Sequence, residues 1–228
     1  MQLEFKIRAS AASQIMTNAR SGSGLSETAK TYCQTWLKEK IYNRPKVVTS
    51  KYFDKGNAME SDAIEFAAMQ LGWGLVYKNE TTYNDADLIG TPDLVLPTVV
   101  PDIKCSWDCF SFPLLETELP TQYYWQLQTY MALTEMSKGM IVYCLMDAPD
   151  HLIEREAYSI ARGMGESEIE MDVYDKVKAR MKYSDLPVGL RLKTFEIERD
   201  DAAIARLRER VGQCREYIGG LMGGGDYA

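Results

Sequence analysis

Asp93, Asp102 and Lys104 are the residues of this chain whose types and spacing suit chemistry. They lie within GTPDLVLPTVVPDIKCSW, residues 90–107, where two carboxylates and an ammonium interrupt an otherwise apolar stretch. Asp102 and Lys104 are two apart, so on a strand they point to one face, and that face is either exposed or lines a polar site. Aspartates from adjacent strands are suitable ligands for Mg²⁺, which prefers oxygen donors and retains waters. A lysine beside them can position a water or stabilise charge developing on a phosphate. Glu60, upstream, can add a third carboxylate from a helix. A bare D-x-K is common, and Asp93 alone reads as a turn aspartate and Glu60 as a residue at the edge of a helix face.

Positioning these groups requires strands and helices in a definite order. Helices are expected over 26–40, 55–71, 121–136 and 166–182, with a last one from Asp201 to Ile218 marked by Ile204, Leu207, Val211, Cys214 and Ile218. A helix capped by Ser10 is expected near the start. On the helix over 55–71, Glu60 shares a face with Ile64, Ala67 and Leu71, and on that over 121–136, Gln126 shares one with Tyr130 and Leu133. Strands are expected over 75–83, 87–91, 93–96, 99–105, Met140–Met146, 153–160 and 190–197. The order implies an α/β (α+β-like) mixed sheet flanked by helices. One domain over 1–218 is expected, with a helical part over 1–53, a core over 54–160 and a flexible Gly-rich tail over 219–228.

Composition excludes some classes and leaves others open. The 228 residues are 46% hydrophobic and 26% charged, ordinary for a soluble globular protein. No stretch is apolar enough to span a membrane, and the opening MQLEFKIRAS lacks a signal-peptide pattern, so cytoplasmic residence is expected. Five scattered cysteines and one histidine do not make a zinc site and read as free thiols and a surface histidine. The net charge of -7 gives no hint of nucleic acid, but binding depends on local fields. Lys38, Lys40, Arg44, Lys46, Lys51 and Lys55 form a locally basic stretch that suits phosphate if they converge, and otherwise is a solvated charge run.

Taken in order, these motifs resemble the PD-(D/E)XK nuclease superfamily and, within it, the phage lambda exonuclease or YqaJ-like viral recombinase group. Pro92-Asp93 followed by Asp102-Ile103-Lys104 is similar to the signature, Glu60 to the helix glutamate before it, and Trp125-Gln-Leu-Gln-Thr-Tyr130 to the helix after it. Arg8-Ala-Ser10 resembles the group's Thr-Ala-Ser opening, and Phe195–Asp200 the strand leading into its last helix. Asp102 stands where many relatives carry glutamate, a reach shorter by one methylene.

The resemblance implies a restriction-endonuclease-like core and Mg²⁺-dependent hydrolysis of DNA phosphodiesters, with Mn²⁺ as a substitute. It implies Asp93, Asp102, the Ile103 carbonyl and Glu60 as metal ligands, Lys104 orienting the water, and Gln126 in support. It further implies digestion of linear duplex DNA ends, 5′ to 3′, a single-strand annealing protein as partner, and a ring-shaped homotrimer. DNA contacts are expected from Arg8, Ser10 and Ser13 at a 5′-phosphate, Lys51 and Lys55 on the backbone, and Trp107 or Tyr124 against a base. Three other readings stay open: a structure-specific or restriction-like endonuclease, a RecB-like or Cas4-like nuclease, and a non-catalytic DNA-binding recombination protein. The cysteine spacing of a Cas4-like iron–sulphur cluster is missing.

Overall fold

The run Val99–Cys105 is rich in β-formers and becomes β4, Val100–Cys105, in a computed structural model that describes residues 4–20, 22–47 and 51–223, without the side chains of 51–53. Strand β4 pairs in parallel with β5, Lys138–Cys144, in register Asp102 to Ile141, and β5 pairs antiparallel with β6, Leu192–Glu198. The parallel pair needs a crossover, supplied by α4, Thr121–Thr134. Gly139 lets α4 approach closely: a Cβ there would sit 3.1 Å from the Leu127 Cβ.

Both faces of this sheet are covered. Leu127, Tyr130 and Met131 of α4 pack with Val100, Ile141 and Tyr143 on one face. Ala63, Ile64 and Ala67 of α3, Lys51–Leu71, pack with Ile103, Val142 and Cys144 on the other. A second small sheet joins β1, Ile7–Arg8, in parallel to β3, Leu88–Gly90, which pairs antiparallel with β2, Tyr83–Asn84. Against it lie the short α1, Ala12–Ile15, with α2, Glu27–Tyr42, and α7, Asp201–Gly223. The remaining pair, α5 (Asp150–Gly163) and α6 (Met171–Met181), encloses Leu152, Ile153, Ala157, Val177 and Met181. The result is a mixed α/β fold with helices flanking its sheets. No helix among the described residues is long and apolar enough to cross a membrane.

Several elements depart from expectation, each for a physical reason. Residues 153–160 are helical within α5, not a strand. Leu152, Ile153, Ala157 and Ala161 are buried at helical spacing, and Pro149 and Asp150 open the helix. Ser10 caps no helix: it lies in a 3₁₀ turn, Ala9–Ala11, and α1 has no side-chain cap. Residues 93–96 form no strand, although Leu94 N–H bonds the Pro101 carbonyl at 3.3 Å and Leu96 N–H that of Val99 at 3.0 Å. Pro97 and Pro101 bring no N–H to a ladder. Of the expected 75–83 strand only Tyr83 pairs, in the two-residue β2 that runs on to Asn84. Helix α7 continues through Gly219 and Gly220 to Gly223, because Ile218, Leu221 and Met222 pack on the α2 cluster and outweigh the low helix propensity of glycine.

Candidate functional site

Strand β4 is an edge strand, so alternate backbone groups face away from β5. The Ile103 N–H on that edge is satisfied by Asp93, whose Oδ2 accepts it at 2.7 Å. Strand residues turn N–H and C=O to the same side, so the Ile103 carbonyl leaves β4 beside the Asp93 carboxylate. The reversal through Pro97 thus brings together two aspartates nine residues apart in sequence.

Asp102 and Lys104 project from β4 toward α4. Asp102 is 1% exposed. Its Oδ1 accepts from Gln126 Nε2 at 2.9 Å, and its Oδ2 is in close ion-pair contact with the Lys104 ammonium. Oδ2 is buried, with the Lys104 ammonium as its charged partner. Burial by itself would lower the Lys104 pKa, but Asp102 and Asp93 outweigh it and hold the ammonium above the ordinary lysine range. The Lys104 Nζ also sits 5.4 Å from the Tyr123 ring centroid, and that ring meets Tyr143 edge-on at 5.9 Å.

Gln126 spends both amide hydrogens, one on Asp102 and the other on the Tyr130 hydroxyl at 3.1 Å. Tyr130 donates in turn to the Thr91 carbonyl at 3.3 Å, two residues before Asp93. One helix face therefore fixes both aspartates. Gly90 makes room for this: a Cβ there would stand 2.8 Å from Tyr130 Cε1 and 3.0 Å from the Ala9 Cβ. Overpacking of this kind costs about 1–3 kcal/mol. Gly90→Ala is expected to lower stability by that amount in denaturant titration, and an unchanged midpoint would show that the ring yields freely.

A cleft of about 680 Å³ between α3 and α4 is lined by Ser10, Asn57, Glu60, Asp93, Lys104 and Tyr123 among others. Glu60 reaches it from α3, with Oε2 2.5 Å from the Lys78 Nζ. Asp93 bears the electrostatic cost: burial first, then the neighbouring Asp102 carboxylate, raise its pKa to about 7. Among the described residues no three His, Cys, Asp or Glu side chains are grouped to hold a metal ion. The donor set is nonetheless all oxygen, from Asp93, Asp102 and the Ile103 carbonyl. Asp93 and the buried Asp102, two carboxylates that repel each other, are relieved by a hard divalent cation. The residues fit such an ion, with Glu60 turned to Lys78.

The expected DNA contacts scatter. Arg8 and Ser10 line a second cleft of about 610 Å³ with Gln14, Thr28 and Thr31, and Ser10 borders the main cleft too. Ser13 is half-buried on α1. Lys55 is fully buried, its ammonium donating to the Trp107 carbonyl at 2.9 Å, and burial lowers its pKa to about 8; in this conformation it cannot reach a phosphate. Trp107 is 4% exposed at the cleft wall. Tyr124 faces α7, donating its hydroxyl to Asp200 at 3.0 Å. The Lys51 side chain lies outside the described residues. Lys38, Arg44 and Lys46 line a separate surface hollow with Tyr42.

Sequence reasoning missed Tyr123 and Lys78. Tyr123 stands three residues before Gln126, a spacing that places both on one helix face and offers a signal. Lys78 lies in an irregular stretch with no periodicity to announce it.

No family model and no curated protein matches the chain in sequence. Its fold is that of solved exonucleases. It is similar to a phage-related exonuclease from Haemophilus somnus 129PT at 22% identity and a TM-score of 0.78, covering 97% of each chain. It is similar also to an alkaline exonuclease from Laribacter hongkongensis, solved as well in complex with dAMP, at 18% identity and a TM-score of 0.65 over 95% of this chain and 89% of that one. The chain thus carries, over nearly its whole length, the fold of these exonucleases.

Proposed function

We propose that this protein is a divalent-metal-dependent deoxyribonuclease with a restriction-endonuclease-like PD-(D/E)XK core, which digests linear duplex DNA from its ends. The observation that carries the reading is the convergence of Asp93, at the wall of the main cleft, with the buried Asp102 beneath it and Lys104 against them. The shared fold with two exonucleases supports exonuclease over endonuclease action.

Asp93, Asp102 and the Ile103 carbonyl would hold Mg²⁺, or Mn²⁺ in its place, with Glu60 completing the set. When bound, the ion activates the attacking water and offsets charge on the leaving oxygen. The chain's own groups do the rest. Lys104, held charged by the aspartates, is a cation and not a base; it orients the water and stabilises the phosphate's growing negative charge. Gln126 positions Asp102 and Tyr130 positions Gln126. Tyr123 limits the ammonium on its open side. Arg8 and Ser10 line the adjoining cleft and would receive the 5′-phosphate end, for digestion in the 5′-to-3′ direction. A single-strand annealing protein taking up the exposed strand, a homotrimer around the duplex and a cytoplasmic setting complete this reading.

Linear 5′-phosphorylated duplex, single-stranded DNA and closed circular duplex, each with Mg²⁺ or chelator, test it. Metal-dependent, strand-polar loss of the linear duplex alone is the expected result. Nicking of the closed circle would make the enzyme an endonuclease, and no hydrolysis of any substrate would refute the nuclease reading.

A further inference from the structure

Lys78 is held at the site by more than its own side chain. The neighbouring Asn79 donates its backbone N–H to the Asp93 carbonyl at 2.8 Å and its Nδ2 to the Pro92 carbonyl at 2.9 Å. The stretch carrying Lys78 is therefore stapled to the turn that carries Asp93. From that anchor the ammonium reaches Glu60 Oε2 at 2.5 Å. The side chains are 46% and 31% exposed, and a pair this open contributes little net stability, so it exchanges partners readily.

Charge gives the pairing a purpose. Three carboxylates, Asp93, Asp102 and Glu60, and two ammoniums, Lys78 and Lys104, meet at this site. A divalent cation on the carboxylates moves the local charge toward positive, the sign that suits a phosphate.

We propose that Lys78 is an exchangeable counter-ion of the site: it neutralises Glu60 while the carboxylates hold no cation, and it passes to a backbone phosphate once a divalent cation takes Glu60. This rests on the nuclease reading. It assigns Lys78 to substrate binding, and it makes the phosphate contact conditional on the cation. With Glu60 and Asp93 turned to the cation, a Lys78 anchored through Asn79 is left with Glu80 and an incoming phosphate as the anions it can meet.

The test compares wild type with Lys78→Met and Lys78→Arg in two binding measurements, neither of which reads activity. In calorimetric titration with Mg²⁺ alone, Lys78→Met is expected to bind the ion about two- to fivefold more tightly, the range for loss of an exposed competing ion pair. In a Glu60→Gln background that gain should shrink. Binding of a 5′-phosphorylated duplex is then measured against salt, in chelator and with Ca²⁺, which takes the same oxygen ligands. With Ca²⁺ the salt slope of wild type should exceed that of Lys78→Met by about one, and Lys78→Arg should retain the wild-type slope. In chelator the slopes should coincide. Equal slopes in both conditions, or the same difference in both, would overturn the exchange. If wild type bound neither Mg²⁺ nor duplex, the nuclease reading and the exchange would fall together; if it bound both and Lys78→Met matched it, only the exchange would fall.

Discussion

Lys104→Ala is expected to lower the rate of DNA hydrolysis by about 10²–10⁴-fold, the range for loss of a positioned proton-handling or charge-stabilising group. The loss should appear in kcat. Removing a positive charge from beside Asp93 and Asp102 favours a bound cation, so the apparent Mg²⁺ affinity should hold or tighten. Asp102→Ala is expected to abolish activity with the opposite signature, since it removes an oxygen donor and the partner of Gln126. The two variants thus separate the ammonium's role from the carboxylate's. Lys104→Ala also leaves Asp102, 1% exposed, without its counter-ion. Stripping one partner from a buried pair costs about 3–5 kcal/mol, so the variant should melt early in chelator and recover with Mg²⁺. Wild-type turnover by Lys104→Ala would remove Lys104 from the mechanism.

The part of this site that the sequence discloses is the part governed by local periodicity. Asp102 and Lys104 share a face because strand geometry demands it, and Gln126 and Tyr130 share one because helix geometry does. Asp93 and Ile103 meet through a reversal, and residue types alone mark that only as a proline-bearing turn. Charge is the least legible quantity. Lys55 reads as a phosphate contact among basic neighbours, yet the start of α3 packs under the Trp107 loop and Tyr183, and the ammonium is buried against a carbonyl and a ring. Lys78 carries no signal in the sequence, yet Asn79 fastens it to the Asp93 turn. Residues 153–160 differ for another reason: eight residues do not separate a strand from one side of a helix, and the burial of Leu152 and Ala161, just outside them, follows helical spacing.

Asp93 makes the second large effect, on stability instead of rate. Its pKa rises from 3.8 to about 7 through burial and the adjacent Asp102. Between those values the folded protein binds a proton that the unfolded chain has released, so stability falls as pH rises from about 4 to 7 and levels off above. Each pKa unit is worth about 1.4 kcal/mol, which sets the loss in the metal-free protein at a few kcal/mol. Asp93→Asn removes the charge and retains an oxygen to accept the Ile103 N–H. The variant should therefore be more stable than wild type in chelator at pH 7.5, with the gap closing toward pH 4. Added Mg²⁺ should reverse the order, raising the wild-type melting temperature and leaving Asp93→Asn nearly unmoved, because only a folded site that binds the ion gains from it. Parallel pH profiles of the two proteins in chelator would show that Asp93 carries no such strain. A crossing that depends on Mg²⁺ would identify Asp93 as a residue whose cost to the fold is the measure of its use to the site.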